Sequence, residues 1–116
     1  MSPSEKAVRL YNATIADTGK ASATILMNPG EVPVGIYFPA IDTSTAFNFD
    51  VAGDNTTSLV AMQDGSGVAY AKTIDNTKAG YVPLDQNLFR GIKAISIKVA
   101  DAQTGAKSIK LAVATP

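Results

Sequence analysis

Cysteine, histidine and tryptophan are all missing from the 116 residues, and the chain carries only ten basic and ten acidic side chains. Without cysteine there are no disulfides and no thiolate chemistry. Without histidine the commonest general base and the usual zinc and iron ligands go as well. An enzyme is therefore not expected, and neither is a bound cofactor. No window approaches the roughly eighteen apolar residues of a membrane span, and MSPSEKAVRL has no basic segment running into an apolar one. The expectation is a chain with no signal peptide and no membrane partner, made in a cytoplasm.

What is present points to a compact β protein. Hydrophobic residues make up 46% of the chain and charged residues 17%, so the surface must rest on Ser, Thr, Asn and Gln more than on charge. The length suits one domain that buries roughly two-thirds of its unfolded surface. The apolar stretches are short, rich in Val, Ile, Phe and Tyr, and punctuated by Gly, Asn, Asp and Pro. No segment keeps a helical period. Nine strands are predicted, at residues 6–14, 22–26, 33–39, 45–51, 57–62, 68–73, 80–84, 93–100 and 107–114. So many short strands need a second sheet to cover the apolar face of the first. The fold class is thus all-β, an antiparallel β-sandwich of eight or nine strands, jelly-roll-like or immunoglobulin-like. Residues 1–5 are expected as a flexible arm and 6–116 as a single sandwich domain.

Local patterns sharpen this expectation. Phe47, Phe49 and Val51 alternate with Asn48 and Asp50, which predicts a strand with one dry and one wet face. Pro39 should end the strand before it, since it cannot donate to the ladder. Ile95, Ile97 and Val99, and then Ile109, Leu111 and Val113, flank a turn at Asp101–Gly105. The pattern predicts a hairpin whose other face carries Ser96, Lys98, Ser108 and Lys110. Asp64-Gly65-Ser66-Gly67 predicts a second hairpin, and Asp85–Gly91 a single helical turn with Phe89 plugging one end of the core.

The charges are segregated. Residues 31–64 hold Glu31, Asp42, Asp50, Asp54 and Asp64 and no base, while 86–116 hold Arg90, Lys93, Lys98, Lys107 and Lys110 against Asp101 alone. Two readings are open: the charges pair across neighbouring strands of one subunit, or the acidic face of one subunit meets the basic face of another. Asp50, Asp54 and Asn55, with Asp42, could collect oxygen ligands for calcium, but not at EF-hand spacing. Turn chemistry explains the same letters. Scattered carboxylates and a serine–lysine pair give no catalytic geometry at this stage. Asn12-Ala13-Thr14 and Asn55-Thr56-Thr57 match the glycosylation acceptor pattern, which acts only on secreted chains. A neutral chain with core-directed aromatics is not expected to bind nucleic acid. Tyr11, Tyr37, Tyr70 and Tyr81 could instead form a platform for sugar rings, although such tyrosines are more often core or rim residues.

Taken in order, several segments carry a likeness. They are Ala13-Thr14-Ile15-Ala16, Val34-Gly35-Ile36-Tyr37-Phe38-Pro39-Ala40, Ala46-Phe47-Asn48-Phe49-Asp50-Val51-Ala52-Gly53-Asp54, Val82-Pro83-Leu84-Asp85, and Phe89-Arg90-Gly91 leading into Ile95-Ser96-Ile97-Lys98-Val99. In this order the chain resembles the small β-sandwich structural proteins that tailed bacteriophages encode near their head and tail genes. The resemblance implies a non-enzymatic virion subunit, assembled in the host cytoplasm, that acts as a capsid decoration or cement protein. Its implied partner is the major capsid protein, and it implies a homo-oligomer, with a trimer at a threefold position as the first expectation. Such a protein binds the assembled lattice and stabilises it by mass action. The candidate partner interface is Ser2, Pro3 and Glu5 in the arm, with Asp50, Asp54, Lys98 and Lys110 on the sandwich. The alternative is a tail, fibre or carbohydrate-binding module that contacts the host surface.

Overall fold

The computed structural model describes residues 7–54 and 58–115. The expected arm at residues 1–5 lies outside the described residues. Nine strands form, each within one of the predicted segments or a residue beyond it: β1 (Ala7–Asn12), β2 (Ile25–Leu26), β3 (Val32–Phe38), β4 (Ala46–Ala52), β5 (Val60–Ala61), β6 (Lys72–Thr73), β7 (Gly80–Pro83), β8 (Ala94–Lys98) and β9 (Lys110–Thr115). They build two antiparallel sheets, one of four strands in the order β1-β9-β3-β7 and one of five in the order β2-β8-β4-β5, with β6 also on β4. β5 pairs with Asp50 and Val51, and β6 with Ala46 and Phe47. They line β4 in succession, interrupted by the Asp64–Gly67 turn. That turn closes with the Asp64 N–H donating to the Val68 carbonyl at 2.7 Å, with Gly67 at φ 80°.

The inward faces meet as the alternation predicts. Phe47 and Phe49 of β4, Ile95 and Ile97 of β8, Ile36 of β3, and Leu111 and Val113 of β9 are all buried. Phe38 and Phe47 bridge the two sheets edge-to-face with ring centroids 5.4 Å apart. Such pairs favour contact of a ring edge with a ring face because of the aromatic quadrupole. β3 stops at Phe38, one residue before Pro39. The predicted helical turn is a short 3-10 turn, Gln86–Leu88, capped by the Asp85 carboxylate accepting from the Asn87 N–H. Phe89 follows it, fully buried and edge-on to both Phe49 and Tyr70.

One expectation is overturned. The strands at 93–100 and 107–114 are not a hairpin: β8 pairs with β2 and β4, whereas β9 lies between β1 and β3 in the other sheet. Residues 99–109 cross between the layers. Two strands that face each other across a core show the same inward alternation as two that are paired side by side, so periodicity cannot separate these cases. The supposed single positive face is therefore split between the two outer faces of the sandwich. Ser96 is buried rather than solvated, its hydroxyl donating to the Ser22 carbonyl at 2.8 Å.

Candidate binding face

The four-stranded sheet turns an apolar surface outward, and its composition follows from register. Asn12 of β1 pairs with Lys110 of β9, Lys110 with Tyr37 of β3, and Tyr37 with Tyr81 of β7. These four residues make one cross-strand row on the outer face. The next row is Leu10, Ala112, Gly35 and Pro83, and the third is Val8, Ala114 and Val32. A register shift between Pro33 and Gly35 produces this arrangement. It sends Pro33 inward beside Val113 and brings Gly35 outward, as an extra residue in one strand does. Val8 is 63% exposed, Leu10 53%, Tyr37 48% and Tyr81 45%. Ala112 and Ala114 of the central strand are buried between these larger side chains, so the exposed apolar area lies along β1 and along the β3–β7 pair, and apolar exposure clustered in this way marks an interaction surface. Among the described residues β1, which carries Val8 and Leu10, pairs with β9 alone and is an edge strand.

Tyr81 is fixed on this face. A Cβ placed on Gly35 would lie 2.0–2.4 Å from the Tyr81 ring and hydroxyl, so only glycine lets the ring lie against the backbone there. The Tyr81 hydroxyl donates to the Val34 carbonyl at 3.2 Å, and the ring sits 4.5 Å from that of Tyr37 at a tilt of 46°. A groove of about 560 Å³ runs beside the pair, walled by Pro39, Ala79, Gly80, Ser108 and Lys110. Of the four tyrosines considered as a platform, Tyr37 and Tyr81 come together there. Tyr70 packs on Phe49 and Phe89 instead, and Tyr11 donates its hydroxyl to Glu31 at 2.5 Å.

The other candidate residues fall elsewhere. Asp50 and Lys98 pair with each other at 3.3 Å on β4 and β8, and Asp42 pairs with Lys107 at 3.8 Å. The acidic middle and basic C-terminal part thus meet within one subunit at these two places. Lys110 sits on the opposite outer face from Asp50 and Lys98, with its ammonium donating to Asn12 at 3.1 Å. Asp54 is exposed just beyond β4, and Ser2, Pro3 and Glu5 lie outside the described residues. Asp42 precedes β4 and Asp54 follows it, which puts roughly 20 Å of strand between them. Asp42 is thus separated from Asp54 in the calcium constellation, and Asn55 lies outside the described residues. Among the described residues no group of three acids gathers closely enough to hold a metal ion.

Two polar features escaped the sequence reading. Glu31, counted among the acids of the middle segment, is buried, accepting from the Asn28 N–H at 2.7 Å with Arg9 Nε at 3.6 Å. Gln103 is buried in the crossing segment, where its side chain bonds to Asp42 and Asp101 and its backbone to the 17–19 turn. A lone Glu between Gly and Val, or a Gln in a turn, gives no pattern from which burial could be read.

The phenols carry a pH dependence. Burial raises the pKa of Tyr11, Tyr70 and Tyr81 above the usual 10.0, helped by Glu31 at Tyr11, Asp85 at Tyr70 and Tyr37 at Tyr81. A group whose folded pKa is raised stabilises the fold below its unfolded pKa and ceases to do so as pH rises through the folded value. Stability should therefore be flat in this respect up to about pH 9 and fall above about pH 10. Thermal melts across that range, read beside phenolate absorbance, check this. A melting temperature unchanged between pH 9 and 11 would contradict it.

No family model matches this chain, and no curated protein matches it. Among solved structures, a chain of the cyanophage Pam1 capsid asymmetric unit superposes with a TM-score of 0.42 at 20% identity, covering 98% of this chain and 89% of that one.

Proposed function

We propose that this protein is a non-enzymatic virion structural protein that binds the assembled head lattice of a tailed phage as a decoration subunit. The observation that carries the reading is the outward apolar face of the four-stranded sheet, with Val8 and Leu10 exposed along the edge strand β1. An edge strand with an apolar outer face is a surface suited to cover by a neighbour, through strand addition or sheet packing. The order of the resembling segments through the sequence supports the same reading. The partner is the major capsid protein, and several copies meet around a symmetry axis, a threefold before any other.

Co-sedimentation with purified heads and with purified tails tests this. The protein is expected with heads, and Leu10→Asp is expected to lower head occupancy at least tenfold, because the charge would be desolvated in the contact. Leu10 is exposed in the free subunit, so its melting temperature should move by only a few degrees. Removal of residues 1–6 should also reduce occupancy, and unchanged occupancy would remove the arm from the mechanism. Recovery with tails alone would overturn the decoration reading.

A further inference from the structure

We propose that the row Asn12–Lys110–Tyr37–Tyr81 is a saccharide site that takes an acidic sugar oligomer, built of uronic or sialic acid units. This goes beyond the decoration role and uses different chemistry from the apolar rows beside it. Three features of the row point to such a ligand.

The first is a preformed aromatic floor. The Tyr81 ring lies against Gly35 with its hydroxyl tied to the Val34 carbonyl, and the residue as a whole stays 45% exposed. A sugar ring has an apolar C–H face that packs on such a surface. No rearrangement is needed, which keeps the ordering cost of binding small. Tyr37, itself 48% exposed, packs against Tyr81 with ring centroids 4.5 Å apart and planes tilted by 46°, so the two rings brace one another as an aromatic wall.

The second is a fringe of neutral donors and acceptors of the kind sugar hydroxyls need. Exposed Ser108 lines the groove, and exposed Asn12 stands on the far side of Lys110 in the same row. The groove volume of about 560 Å³ falls within the roughly 300–1,000 Å³ typical of small-ligand sites. A four-strand face is also roughly 15 Å across, which suits a short oligomer lying across the strands.

The third is charge. Lys110 is the one charged residue lining the groove. Its ammonium donates to the neutral Asn12 amide, and no carboxylate pairs with it among the described residues. A single unpaired ammonium beside an aromatic floor complements a ligand with one carboxylate per sugar unit. A neutral sugar would leave that charge unused.

The test is titration of the isotopically labelled full chain, at low salt, with tetragalacturonate, with an α2,8-linked sialic acid tetramer, and with a dextran tetramer, followed by amide shifts. Saturable shifts centred on Asn12, Tyr37, Tyr81 and Lys110 are expected with at least one acidic oligomer, and binding at least fivefold weaker with dextran. Tyr81→Ser should weaken acidic binding tenfold or more. Lys110→Gln should remove most of the preference for acidic over neutral oligomers. Gly35→Ala keeps every aromatic but forces the Tyr81 ring off the backbone, and should weaken binding as Tyr81→Ser does; the amide spectrum of each variant reports its fold directly. The proposal is overturned if neither acidic oligomer shifts these residues, if dextran binds as well, or if Tyr81→Ser binds unchanged. It is also overturned if the free chain sediments as an oligomer that Tyr81→Ser dissociates, since a second copy would then cover this row. The decoration reading is judged separately, from head occupancy and Leu10→Asp.

Discussion

Phe89→Ala is expected to lower the free energy of unfolding by about 3–5 kcal/mol, the range for removing a buried aromatic ring. Phe89 is fully buried behind the 3-10 turn, with its ring 5.2 Å from that of Phe49 and 5.8 Å from that of Tyr70. Both contacts are edge-to-face, so the substitution removes two aromatic pairs as well as buried area. The backbone there has little freedom to collapse into the gap. The Asp85 side chain caps the turn, the Phe89 N–H donates to Gln86, and Gly91, two residues on, is left-handed. Tyr70 is half-buried at the rim and could tilt inward, which would bring the loss toward the lower end. Urea unfolding of the two proteins measures the difference. A loss under about 1 kcal/mol would mean that the end of the core is not closed by this ring.

The strands were legible in the sequence because both outer and inner faces of most of them follow a period of two. Phe47 and Phe49, Ile95 and Ile97, and Leu111 and Val113 all enter the core as their alternation predicts. Pairing was less legible. The hairpin assigned to β8 and β9 failed because alternation tells which side of a strand is dry and says nothing about which strand lies beside it. Turn chemistry was partly readable: Gly67 and Gly105, both in segments predicted to turn, hold positive φ. Thr18 and Thr43 hold it too, and no rule of residue preference places a β-branched side chain there. At Thr43 the surroundings impose it, through the hydroxyl bond to Asp101 at 2.8 Å and the neighbouring Ser44 and Gln103 contacts.

The binding face shows the same division. Tyr37 and Tyr81 were visible as aromatics, and Lys110 as a base in an exposed strand position. Their meeting in one row depends on two strand pairings and on the register shift after Pro33, which are long-range facts. The role of Gly35 was equally hidden, since a glycine inside a strand signals a close approach without naming what approaches.

Gln103→Leu is expected to cost about 3 kcal/mol although it keeps the side chain's approximate volume and is apolar. Gln103 Oε1 accepts from the Asp42 N–H at 2.8 Å, while its Nε2 donates to the carbonyls of Asp101 at 3.0 Å and Asp42 at 3.2 Å. Its own backbone accepts from the Thr18 N–H at 2.7 Å and donates to Gly19 at 3.1 Å. One side chain thus fastens the 42–44 loop to the crossing segment, whose backbone holds the 17–19 turn. Leucine would leave the Asp42 amide and two carbonyls without these partners. An orphaned buried polar group costs about 1–3 kcal/mol, far more than the apolar gain returns. Gln103→Glu separates this from packing, because it keeps the shape and the acceptor but turns the donor into an oxygen facing two carbonyls. It should be as destabilising as leucine near neutral pH, and less so in acid, where the carboxyl regains a donor. Chemical unfolding at both pH values checks the pair. Equal stability of Gln103→Leu and the parent would show that these loops are held by the Asp42 and Lys107 pair and their remaining backbone bonds instead.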